Sequence, residues 1–193
     1  MLDSAHVGPY SRWQGNLEAS LAVVAQDFAD VDSFVELGGW PGERLGTNLM
    51  LVELLAKAGV ATRPPKTGEP ADDVFFTNAV LCLKRGTMSS RVPSRCFREC
   101  AARFLRPTLE LVAPKVVVTL GVGALDAVLS AFGLTRSGAG LAELVDRDQS
   151  FDLGTHMKLF PRFHPSRTVL NVSRSEAQQR EDWRRIGTWL GTD

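Results

Sequence analysis

Four short apolar runs, rich in β-branched residues and spaced along the chain, limit the folds open to this sequence. They are Leu21-Ala-Val-Val-Ala25, Val74-Phe-Phe-Thr77, Val116-Val-Val-Thr-Leu120 and Lys158-Leu-Phe-Pro-Arg-Phe163. The first three are almost continuously apolar, the pattern of strands buried on both faces of a parallel sheet. In the fourth, Pro161 cannot donate to a ladder, which predicts an edge or irregular strand. Helical patterns separate the runs. Leucines recur at helical spacing from Leu49 to Ala58, and Gly59 stands where a helix would stop. Ser94 to Val112 carries Phe97, Ala101, Phe104, Leu105, Leu109 and Val112 on one stripe, with Ser94 as the expected N-cap. Gly123 to Phe132 and Ser173 to Leu190 complete the set, and Ser173 with Glu176 spells a capping box. Strands alternating with helices predict an α/β fold: one three-layer α/β/α domain over residues 1–193, with a short, mainly parallel central sheet of about four strands. The stretches Gly38 to Gly46 and Arg63 to Pro70 read as loops inside it.

A chain of 193 residues can bury a core without disulfides or a structural metal. Its 22 basic and 22 acidic residues cancel, so a nucleic-acid partner would require the basic residues to gather on one face. Cys82, Cys96 and Cys100 are an odd number and do not form a disulfide framework, so a reducing cytoplasm is expected. The first fifteen residues lack the apolar core of a signal peptide, and no run of eighteen apolar residues suggests a membrane span.

In open α/β sheets ligands bind beyond the carboxyl ends of the strands. Those ends carry Gln26-Asp27-Phe28 after the first run and Asn78 after the second. The basic loop Lys84-Arg85-Gly-Thr-Met-Ser89-Ser90-Arg91 follows. Gly121-Val-Gly123 comes after the third run and His164-Pro-Ser166-Arg167 after the fourth. Taken singly, each has an ordinary role as turn, cap or packed loop residue. Together they place a carboxylate, a carboxamide and a histidine on one edge.

Four of these segments, in order, resemble the motifs of the uracil-DNA glycosylase superfamily. Val23-Val-Ala-Gln-Asp27 is similar to its first motif, Phe76-Thr-Asn-Ala-Val80 to the strand carrying a uracil-reading Asn, and Phe163-His-Pro-Ser166 to its His-Pro-Ser motif. Cys100 through Gly121 is similar to a helix–strand segment of the thermostable bacterial branch. The resemblance implies a monofunctional hydrolase that removes uracil from DNA, leaving an abasic site. Its partner would be uracil-containing DNA, single- or double-stranded, its product free uracil, and it would act as a monomer without a cofactor. By the same resemblance Asp27 and His164 are catalytic, Asp27 toward the sugar and its attacking water, His164 as a neutral donor to the base. Asn78 would read the base edge and the Gln26 backbone N–H would assist. Phe28, Leu45 and Trp40 are candidates to line or stack on the base. Ser166, Arg167, Thr168 and the loop residues Lys84, Arg85, Ser89, Ser90 and Arg91 would contact DNA.

The chain departs from the family in three places. Cys82 and Cys100 match two ligands of the thermostable branch's iron–sulfur cluster, but its Cys-x-x-Cys is missing, so no cluster is expected. Ala29 stands where a Tyr excludes thymine in the best-studied branch. The usual stacking Phe has no clear counterpart, Leu45 falling near its position. Two rival readings remain: a Rossmann-type nucleotide site at Gly121-Val-Gly123, lacking the third glycine, and a non-catalytic or trapping uracil-DNA binder, whose relatives carry a His in the basic loop where this chain has none.

Overall fold

The structure, a computed structural model, describes residues 15–28, 31–36, 46–60, 73–84, 86–87 and 90–191. Along the chain run β1 (Leu21–Asp27), α1 (Val31–Glu36), α2 (Gly46–Lys57), β2 (Val74–Val80), α3 (Ser94–Cys100), a π-helical turn (Ala101–Leu105) and α4 (Arg106–Val112). After these come β3 (Val116–Leu120), α5 (Val122–Ala131), α6 (Leu141–Asp146), β4 (Phe151–Leu153), β5 (Met157–Arg162), α7 (Arg167–Val172) and α8 (Glu176–Leu190). The strands form one five-stranded sheet in the order β2-β1-β3-β5-β4. The pairings β2–β1, β1–β3 and β3–β5 are parallel, and β4 is antiparallel.

Strand alternation sorts the apolar residues into two layers. Leu21 and Val23 of β1, Val74 of β2, Val116, Val118 and Leu120 of β3 and Phe160 of β5 pack with Met50, Leu54 and Leu55 of α2 and Trp183 and Ile186 of α8. On the other face Ala22, Val24, Phe75, Val117 and Leu159 meet Leu105, Leu109 and Val112 and the apolar side of α5. β3 lies in the middle of the sheet with every residue buried, as a strand covered by helices on both faces must be.

Several elements differ from expectation, each for a physical reason. β5 is an interior strand rather than an edge. The Lys158 N–H donates toward β3, to Lys115 O at 2.9 Å, so alternation turns the Pro161 nitrogen outward. There β4 has already ended opposite Leu159, and no ladder bond is lost. β4 raises the strand number to five; three residues are too few to show a period. The 94–112 helix is continuous but carries a π turn, in which the Arg106 N–H reaches back to Ala101 O. Pro107 follows with no N–H to give, so the wider turn absorbs the break. Its N-cap is Pro93, without a side-chain cap bond, rather than Ser94. The capping box also sits two residues later than Ser173 and Glu176. The Ser173 N–H still closes α7 on Val169 O, and Ser175 caps α8 with Gln178 reciprocating. Gly59 does end α2, with φ 71°.

One polar network crosses the α8 layer. Arg162, 1% exposed in its side chain, pairs with Asp148 at 2.7 Å and donates to Asp182 O. Arg174 grips Asp182 with two nitrogens, at 2.9 and 2.6 Å, and also reaches Asp146. Asp182 is 2% exposed, and removing one member of a buried pair strands the other charge. We therefore expect Asp182→Ala to lower folding stability by on the order of 3 kcal/mol in urea unfolding. The exposed Glu181→Ala should stay within about 0.5 kcal/mol. Equal effects of the two would deny the network its role.

Candidate functional site

The strand order reverses between β1 and β3, because β2 lies on one side of β1 and β3 and β5 on the other. Such a switch point leaves a crevice at the carboxyl edge, and the polar residues collect there. Asp27 ends β1 opposite Val80, and Ala25 lies opposite Asn78. β2 thus runs past Asn78 instead of stopping before it, and strand alternation puts Asn78 and Asp27 on the same face, that of α2 and α8. Asn78 is buried.

Asp27 is held at both oxygens. Lys84 Nζ donates to Oδ1 at 3.1 Å, and Gln26 Nε2 donates to Oδ2 at 2.8 Å. The pair is enclosed, with Lys84 and Asp27 side chains 7% and 10% exposed. Lys84 is thus turned inward onto the carboxylate and not displayed on the surface. The neighbouring residues reinforce this: Leu83 is fully buried against Phe28 and Phe34. Phe28 meets Phe34 edge to face at 5.0 Å, so its ring belongs to a local apolar cluster.

His164 lies two residues beyond β5. Burial pulls its imidazole pKa below the ordinary 6.5, and the nearby Asp27 charge partly opposes this. At neutral pH the ring is uncharged, with one nitrogen a donor and the other an acceptor. The segment that carries it is anchored by two sets of contacts. The Gly121 N–H donates to Arg162 O at 2.8 Å, and Gln179 Nε2 of α8 reaches the carbonyls of His164 and Arg174 at 3.5 and 3.4 Å. Gln179 escaped sequence reasoning, though it falls on the helical stripe of Trp183, Ile186 and Leu190, an apolar position held by an amide.

Gly121 and Gly123 serve close approach. Gly121 has φ +87°, and a Cβ there would come within 4.0 Å of His164 Cβ. At Gly123 a Cβ would meet Gln26 Oε1 at 2.2 Å. The Gln26 side chain lies against Gly123 at the start of α5.

Ser166 precedes α7 as its N-cap residue without a side-chain cap bond, and Arg167 and Thr168 are exposed in its first turn. Ser90 Oγ accepts from the Thr87 N–H at 2.9 Å and lies close against Gly86, while Arg91 is exposed. Ala29, Trp40, Leu45, Arg85 and Ser89 lie outside the described residues.

The cysteines pack together with Val80, Val92 and Phe97. Burial pushes the Cys82 thiol pKa up, and the adjacent Cys100, hydrogen-bonded to it, and Cys96 add to the rise. Three thiols cannot supply the four-thiolate set of an iron–sulfur cluster.

These features define a class: a doubly wound α/β domain with a carboxylate, an amide and a neutral histidine at its switch point. A family model described as the uracil DNA glycosylase superfamily matches residues 36–187. The chain belongs to that superfamily, and so to the DNA glycosylase type of hydrolase acting on DNA. Comparison with curated proteins finds no match.

The His164 environment has a measurable consequence. Its NMR titration midpoint should fall below 6.5 and drop further in Asp27→Asn, which removes the charge that raises it. Because the unfolded chain then takes up this proton first, the His164 contribution to stability is complete above about pH 6.5 and declines as pH falls below it. An upward movement of the midpoint in Asp27→Asn would separate the two side chains.

Proposed function

We propose that the protein hydrolyses the N-glycosidic bond of uracil in DNA, releasing uracil and leaving an abasic site. The observation that carries this reading is the enclosure of Asp27 beside a neutral His164, with Asn78 on the Asp27 face of the sheet. Breaking this bond develops positive charge on the sugar and negative charge on the base. The Asp27 carboxylate suits the sugar and can orient the attacking water. A neutral imidazole can donate to uracil O2 without having to protonate it. The Asn78 amide pairs a donor with O4 and an acceptor with N3–H, and mismatches the reversed edge of cytosine. The Gln26 backbone N–H stands beside it at the end of β1. The base must leave the duplex to reach these groups, at a cost of roughly a few kcal/mol.

DNA binding by a chain of zero net charge needs a local excess of cations. Arg91, three residues ahead of α3, and Arg95 and Arg98 within it make an exposed basic stripe and form no ion pair among the described residues, whereas Arg103 and Arg106 further along are paired with Glu99 and Glu110. Val92 packs on Val80, which lies opposite Asp27, so this stripe starts at the rim of the crevice. Arg167, Thr168 and Ser166 approach from the other rim.

The decisive experiment is incubation with single- and double-stranded uracil oligonucleotides followed by alkaline cleavage of abasic sites; intact strands would overturn the reading. Asp27→Asn and His164→Ala should each lower excision by roughly a hundredfold or more. DNA affinity should change far less, since phosphate contacts dominate it. Activity within a few-fold of wild type would take either residue out of the mechanism. Replacing both Arg95 and Arg98 with Ala should weaken DNA binding and flatten the log K against log salt plot by about one unit per lost contact. An unchanged slope would place the DNA elsewhere.

A further inference from the structure

We propose that Lys84 is a positioning residue for Asp27, holding the carboxylate in its working orientation, and is not a phosphate contact. The inference rests on the reading of Asp27 as the group that serves the sugar and the water. A lysine in a basic loop is ordinarily a mobile surface cation. Here the ammonium lies 3.1 Å from Asp27 Oδ1, with both side chains nearly excluded from solvent.

The backbone on each side of the pair is anchored. Asp27 is the last residue of β1, fixed by its pairing with Val80. The next residue, Phe28, is buried against Leu83, the residue before Lys84. An apolar contact between residues 28 and 83 thus locks the ionic contact between residues 27 and 84, leaving each side chain little freedom to swing. Gln26 takes the second oxygen from the exposed side, and its amide is backed by Gly123. An enclosed carboxylate needs such partners, since burying it alone is strongly unfavourable. Misplacing a reacting group by even about 1 Å can reduce rate by roughly a hundredfold.

Three roles for Lys84 separate in one set of measurements. As a positioning residue, Lys84→Met should lower kcat roughly a hundredfold while leaving KM, DNA affinity and its salt slope within about twofold. Lys84→Arg, which keeps the charge, should recover at least about tenfold of that loss. In an Asp27→Asn background, Lys84→Met should change kcat by less than about threefold, since its effect passes through Asp27. A raised KM with a flatter salt slope would mean a phosphate contact and overturn the proposal. So would a Lys84-dependent borohydride adduct with abasic DNA, which would make the amine a nucleophile, or fully additive losses in the double variant. If Lys84→Met does not fold, Lys84→Arg carries the test: kcat falls with KM and salt slope unchanged, and a KM effect overturns it. A crystal structure of Lys84→Met, or of Asp27→Asn/Lys84→Met if the single variant does not fold, reads the placement without activity. Side chain 27 should leave the position seen in the wild type, and an unmoved one overturns the proposal. If wild type itself excises no uracil while that displacement is seen, the functional reading fails and the positioning contact stands.

Discussion

Arg162 ends β5 with its guanidinium buried between the sheet and α8, and the placement of His164 depends on how that charge is satisfied. Asp148 neutralises it, the Asp182 carbonyl accepts from it, and the Asp182 carboxylate is itself gripped by Arg174. The two arginines therefore bracket the segment from 162 to 174. Phe163 lies beneath the Arg174 guanidinium at 5.9 Å, and Gln179 holds the carbonyls at 164 and 174. A loop fastened at both ends limits where the His164 backbone can sit, which helps a site that depends on directional hydrogen bonding.

The opposite side of the crevice is built by a different device. β1 and β2 are in parallel register, so side chains two apart fall on one face and Asp27 and Asn78 share it. Gln26, one residue earlier, faces the other layer and meets Gly123 at the start of α5. A single dipeptide thus reaches both faces of the sheet at the switch point. The interior of β3 is apolar apart from Thr119, so polar chemistry has room only where the strands end.

Some of this was legible in the sequence. Apolar runs of the right length marked four of the five strands, because burial on both faces leaves a continuous apolar signature. Asp27, Asn78 and His164 were legible as residues at strand ends, and their resemblance to family motifs gave them a common setting. β4 was not, being three residues long. Nor was the interior position of β5, since whether a proline damages a strand depends on which way its nitrogen points and whether a neighbour lies there. The helix boundaries near Pro107 and Ser175 depended on competing hydrogen bonds that composition does not rank.

Local chemistry is what the sequence by itself determined: where four of the five strands and the longer helices lie, that the layers are α/β/α, and which residue types stand at the carboxyl edge, whereas the short α1, α6 and α7 carried no periodic signal. These follow from periodicity and backbone propensity, which act over a few residues. The tertiary structure alone decided the partners. Lys84 read as one of several loop cations, yet it is buried on Asp27, 57 positions away. Gln179 read as a helix residue, yet it seats His164. Gly123 read as the start of a helix, yet it also makes room for Gln26. Long-range pairing of this kind depends on the strand order and on which face each side chain takes, and neither is written in the residues near the contact.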